Sequence, residues 1–124
     1  MERVHETNFC KFWTDGDILF VIYKPIPYLN IDIAKNIVAS RLQFQEGKRE
    51  AIFCDTRGIM DSSKMARDYL ALEGSVLTRR IAIFDDRNIA KVMLKYYLFR
   101  NVPLVPTAVF TDRDKAIIFL KINQ

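Results

Sequence analysis

Histidine occurs once in the 124 residues, at His5, and cysteine twice, at Cys10 and Cys54. With His5 near one end, no histidine-based triad can be assembled from the body of the chain. A His/Cys metal cluster lacks ligands as well. The four glycines, Gly16, Gly47, Gly58 and Gly74, are scattered, so there is no glycine-rich phosphate loop. Four prolines and an apolar content of 50% exclude collagen-like, low-complexity and disordered classes. The longest apolar run, Ile18 to Tyr23, is far short of the roughly 20 residues a membrane helix needs. Met1 to Glu6 carries acids and no apolar core, so no secretory signal is expected. Both cysteines fall in apolar, strand-like segments. The reading is two buried thiols in a reducing cytoplasm, although only their separation decides whether they can bridge.

What remains is enough for one domain over residues 1–124, with a core that needs neither metal nor disulfide. The net charge is +4 and it is uneven: residues 1–62 balance to −1 and residues 63–124 to +5. Such a tilt is too sparse for a strong nucleic-acid binder, and no nucleic-acid partner is expected.

The periodicity predicts strands over Asn8–Trp13 and Ile18–Tyr23, joined by a type I′ turn at Asp15-Gly16. Pro25 and Pro27 then break the ladder. A helix capped by Asn30 or Asp32 runs to about Gln45, buries Ala34, Ile37, Val38 and Leu42, and ends at Gly47. Strand Arg49–Asp55 leads into a helix from about Ser62 to Glu73, with Met65, Ala66, Tyr69, Leu70 and Leu72 inward and Gly74 as its stop. Strand Arg80–Phe84 precedes a helix from about Asn88 to Arg100, and strand Thr107–Phe110 precedes a last helix with a capping box at Thr111 and Asp114. The fold class is therefore α/β: a single mixed, mostly parallel five-stranded sheet with four helices in the order ββαβαβαβα.

In such sheets ligands collect beyond the carboxyl ends of the strands. Asp55, Arg57, Asp85 and Thr111 form a candidate rim there, while Asp61, Asp86 and Asp112 also read as helix caps or first-turn acids. Three catalytic templates fail on spacing. A phospho-accepting receiver needs its acidic pair after an earlier strand and a lysine where Asp112 stands. A haloacid-dehalogenase nucleophile needs a second aspartate where Arg57 stands. A cysteine phosphatase built on Cys54 needs an arginine where Met60 stands. No catalytic residue, metal ligand or cofactor is assigned, and an enzymatic role is not expected. Arg87, Lys91 and Lys95 are spaced as a basic stripe on the third helix, either a contact face or a solvated one. Ser62 and Ser63 sit at a helix start, where backbone N–H groups favour a phosphate, or else simply cap the helix.

The string Asp61-Ser62-Ser63-Lys64 at this strand-to-helix junction, within the element order above, resembles the STAS domain in its broader SpoIIAA-like fold. In anti-sigma-factor antagonists an Asp-Ser-Ser-Gly motif occupies the junction and its second serine is phosphorylated. The resemblance implies Ser63 as acceptor, with Lys64 standing where that family has glycine. Phe12-Trp13 and Ala66-Arg67-Asp68-Tyr69-Leu70 are more similar still to small, uncharacterised bacterial STAS/SEC14-like proteins, a group with the fold and no established activity. The resemblance implies a cytoplasmic, non-enzymatic interaction or regulatory module. Its switch would be Ser62 and Ser63, Arg57 would be the arginine that pairs with a phosphate there, and the surface from Ser62 to Glu73 would meet an unidentified protein partner. The alternative is a small-molecule or lipid-binding protein using the rim of Asp55, Arg57, Asp85 and Thr111. A homodimer is expected; helices gathered on one face of the sheet would leave apolar strands to be covered.

Overall fold

The computed structural model describes residues 3–88 and 104–122. Six strands form one sheet: β1 (Val4–Glu6), β2 (Cys10–Asp15), β3 (Ile18–Tyr23), β4 (Glu50–Asp55), β5 (Thr78–Phe84) and β6 (Thr107–Phe110). They lie side by side in chain order. β1/β2 and β2/β3 are antiparallel, and β3/β4, β4/β5 and β5/β6 are parallel. The described helices are α1 (Ile31–Gln45), α2 (Lys64–Glu73) and α3 (Arg113–Leu120). The expected α/β class and mixed, mostly parallel sheet are observed. The count of five strands is corrected to six, because Val4–Glu6 pairs outside β2. Three short, exposed residues carry no apolar alternation for a sequence pattern to detect. The helix expected over Asn88–Arg100, with Lys91 and Lys95, lies outside the described residues apart from Asn88.

The β2–β3 turn also differs from expectation. Asp15 pairs with Ile18, so the two turn residues are Gly16 and Asp17. Among these two only Gly16 has a positive φ, of 61°. That is the pattern of a type II′ turn, with glycine first, rather than type I′.

Asn30, not Asp32, caps α1: its side chain accepts the Ile33 N–H at 2.9 Å. The helix ends at Gln45 as expected, with both Glu46 and Gly47 left-handed at φ 51° and 82°. Beyond β3 the chain is not free of the sheet despite Pro25 and Pro27. Ile26 and Leu29 bridge in parallel to Ile59 and Ser62, with the Ile26 N–H on Gly58 O at 2.8 Å and the Ser63 N–H on Leu29 O at 3.0 Å. This approach requires Gly58, because a Cβ there would lie 2.4 Å from Lys24 O.

The sheet carries a core on each face. On one, Phe12, Leu19, Val21 and Ile52 pack with Ile26, Leu29, Ala34, Ile37, Phe44 and Ala66 from α1, α2 and the segment between β3 and α1. On the other, Ile18, Phe20, Phe53, Ala82 and Phe84 meet Ala116 and Leu120 of α3. The described helices thus occupy both faces of the sheet rather than one. α2 is rotated from expectation. Ala66 is buried and Tyr69 and Leu70 pack on the core, but Met65 and Leu72 are 66% and 57% exposed. Residues seven apart on a helix share one side, and here that side faces water.

Arg41 and Gln45 are buried in the otherwise apolar face of α1. Arg41 donates to Gln45 Oε1, to Val76 O at 3.0 Å and to Gly74 O at 3.3 Å. Gln45 Nε2 donates to Lys48 O and Leu77 O, each at 2.9 Å. These two side chains satisfy the carbonyls of the α2–β5 loop, where Leu77 is left-handed at φ 59°.

Candidate functional site

The carboxyl ends of β4 and β5 carry the same short pattern twice. Asp55-Thr56-Arg57 follows β4 and Asp85-Asp86-Arg87 follows β5. In each, a buried aspartate at the strand end receives the backbone N–H and the guanidinium of the arginine two residues on. Arg57 reaches Asp55 through its N–H at 3.1 Å and Nη2 at 2.8 Å. Arg87 reaches Asp85 through its N–H at 3.1 Å, Nε at 3.0 Å and Nη2 at 2.8 Å. Asp85 is fully buried and also accepts the Thr56 hydroxyl at 2.9 Å. Burial alone would raise the Asp85 carboxyl, but the bonds from Arg87 and Thr56 outweigh it and hold the group below its ordinary value. The aspartates in turn raise both guanidinium groups through those hydrogen bonds.

Arg87 does more than neutralise Asp85. It donates to Ile59 O at 2.9 Å and Thr56 O at 3.1 Å, so it ties the β4–α2 loop to the end of β5. Arg87 thus faces the rim, and Lys91 and Lys95, the other residues of the expected basic stripe, lie outside the described residues. Its rim role was readable in the repeated Asp-x-Arg spacing.

The structure brings Asp55, Arg57 and Asp85 together, with Asp86 3.5 Å from Arg57. Thr111 is exposed, and no hydrogen bond among the described residues joins it to them. The last helix is capped by Asp112, which accepts the Asp114 and Lys115 N–H groups at 2.8 and 3.2 Å. Thr111 and Asp114 therefore do not form the expected capping box, because the side chain one residue nearer the helix already serves its first N–H groups.

The loop held by Arg87 leads to the serines. Ser63 is the N-cap of α2, its Oγ accepting the Ala66 N–H at 3.1 Å. Ser62 Oγ accepts from Arg67 Nη1 at 3.2 Å, and the same nitrogen donates to Ser62 O at 2.7 Å. The arginine beside the serine pair is thus Arg67, one turn into α2. Arg57 is engaged by Asp55 and Asp86 and lies over the Phe84 ring at 4.9 Å. Around the junction Tyr28, Met60 and Met65 are exposed, and Leu72 is exposed two turns beyond Met65 on α2. Ser63→Ala is expected to lower stability by about 1 kcal/mol, the usual worth of a cap, and Ser63→Asp to leave it near wild type in urea unfolding.

Neither thiol is suited to nucleophilic chemistry. Cys10 and Cys54 are both free; burial pushes Cys54 up to about 12 and Cys10 higher. Among the described residues no group of histidine, cysteine and carboxylate side chains could hold a metal ion, and no helix is long and apolar enough to cross a membrane.

Comparison with known proteins agrees with this architecture. No curated protein matches the chain. A solved structure from Shewanella loihica PV-4, an uncharacterised protein of the DUF3478 family with a SpoIIAA-like fold, superimposes with a TM-score of 0.57. It is 10% identical over 97% of this chain and 92% of that one. At that identity the likeness is one of fold, and the fold is SpoIIAA-like. The model of the family described as domain of unknown function (DUF7793) matches residues 12–123, from the middle of β2 past the end of α3. The chain therefore belongs to the DUF7793 family.

Proposed function

We propose that this is a cytoplasmic, non-enzymatic protein-interaction module. Its contact surface is the outer side of α2 with the junction before it, and Ser62 and Ser63 are its switch. The observation that carries the reading is the grouping at one junction of two half-buried serines, an arginine on the Ser62 hydroxyl and the exposed Tyr28, Met60 and Met65, with Leu72 exposed further along the same side of α2. Apolar side chains clustered in water mark contact surfaces. A phosphate on Ser62 would meet Arg67 and the α2 N-terminus at once. At the rim, by contrast, the carboxylates and guanidinium groups already satisfy one another, which leaves little for a ligand to recognise.

The test is affinity capture from the native cytoplasm with wild type, Met65→Asp/Leu72→Asp and Ser63→Asp, with phosphate on Ser62 and Ser63 read by mass spectrometry. A protein held by wild type should be lost with the double variant and weakened by Ser63→Asp. A second copy of this chain would count as that protein. Both changes on α2 replace exposed residues, so folding should survive them. A captured set that is the same for all three proteins removes the reading.

A further inference from the structure

We propose that the cleft at the amino-terminal ends of β4 and β5 binds a small carboxylate with a short hydrocarbon tail, its head between Arg79 and Arg80 and its tail on Ala51, Leu120 and Ile122. The cleft is open, holds about 150 Å³ and is lined by these five residues. It lies at the opposite end of the strands from the serine junction, so the inference stands apart from the reading of α2.

Local backbone geometry builds the site. Consecutive strand residues ordinarily point to opposite faces. Between Glu50 and Ala51 the β4/β5 register shifts: Glu50 pairs with Thr78 and Ala51 with Arg80, leaving Arg79 as the extra residue. Such a bulge re-aims side chains. Here two successive arginines line one cleft.

These arginines differ from those at the other end of the same strands. Arg57 and Arg87 each have an aspartate two residues before them and are paired with it. Among the described residues no carboxylate pairs with Arg79 or Arg80. Arg79 Nη2 donates to Asp17 O at 3.3 Å, and Arg79 Nε is buried without an acceptor. Glu50 Oε2 is likewise buried without a partner, while Arg79 as a whole is only half-buried and lines the cleft. Arg80 is held over the Phe119 ring, 4.5 Å from its centroid, which fixes its plane and leaves its N–H edges to other acceptors. Glu50, the nearest buried acid, feels the Arg79 charge, but burial raises its carboxyl and disfavours the ionised form.

Two guanidinium forks match the planar, bidentate geometry of a carboxylate. The other lining residues among those described are apolar: Ala51 and Leu120 form the buried floor and Ile122 is 47% exposed at the edge. An inorganic anion would leave Ile122 wet, whereas a short hydrocarbon tail covers it.

The test is a backbone-amide NMR titration of the full chain with hexanoate, hexanamide and inorganic phosphate. Hexanoate should give saturable shifts at Ala51, Arg79, Arg80 and Ile122, with hexanamide and phosphate weaker by about tenfold or more. Arg79→Gln, Arg80→Gln and Ile122→Asp should each weaken hexanoate by about tenfold. Ile122→Asp changes an exposed position and decides the matter should an arginine variant fail to fold. The proposal is overturned by the absence of saturable shifts, by equal binding of hexanamide or phosphate, or by a folded variant that binds as wild type does.

Discussion

Replacing Asp85 by alanine is expected to cost about 4 kcal/mol, the largest single loss in this chain, measured by urea unfolding. The carboxylate is fully buried and accepts from Thr56 Oγ1 and from three nitrogens of Arg87. Alanine leaves a hydroxyl without an acceptor and a partly buried cation without its counter-charge, with only the Ile59 and Thr56 carbonyls still on it, and such losses cost more than the intact pair contributes. The effect has a pH signature. The folded Asp85 carboxyl lies below its ordinary value of 3.8. Its contribution is therefore complete above that value and is lost as pH falls through the folded value. Wild-type stability should drop on acidification below about pH 4, and Asp85→Asn should flatten part of that slope. An unchanged acid limb in the variant would show that Asp85 is not ionised in the folded protein.

Arg41→Ala should cost about 3 kcal/mol, or about 10 °C in Tm. Two effects oppose each other here. Burial disfavours the Arg41 charge and lowers its proton affinity, so removing the cation relieves a desolvation penalty. Against that, Gln45 Oε1, Val76 O and Gly74 O lose a donor, and alanine leaves a cavity under α1. Three acceptors and a void outweigh one relieved charge. Arg41→Met, which fills most of the void, should recover roughly half of the loss in the same calorimetric scan. If Arg41→Ala melts with wild type, those acceptors are met by solvent and the penalty assigned to them is absent.

Much of the architecture was legible before any coordinates, because the signals were local. Ile18 to Tyr23, a six-residue apolar run, becomes a central strand that is buried on both faces over its first four positions. Asn30 and Gly16 announced a cap and a turn. The misses share a cause, which is that tertiary contact overrode local pattern. Arg41 and Gln45 lay outside the apolar set read for α1, yet the α2–β5 loop needed donors beneath it. Met65 and Leu72 read as core, yet the pairing of Leu29 with Ser62 brings the chain into α2 turned so that they face outward. At the site, Asp55, Arg57 and Asp85 could be placed from the strand ends alone. Arg67 on Ser62 and the convergence of Arg79 and Arg80 could not, since both depend on side-chain direction across a helix start and a bulge.

β1 bears on how the chain behaves at high concentration. A long, flat outermost strand is a template on which other chains polymerise. This one spans three residues, with His5 stacked 6.1 Å from Phe12 and Arg3 over the Phe44 ring at 4.7 Å. Glu6 is tethered to Lys24. An incoming strand finds only a stub ringed by charge, which blunts fibril-like stacking along that margin.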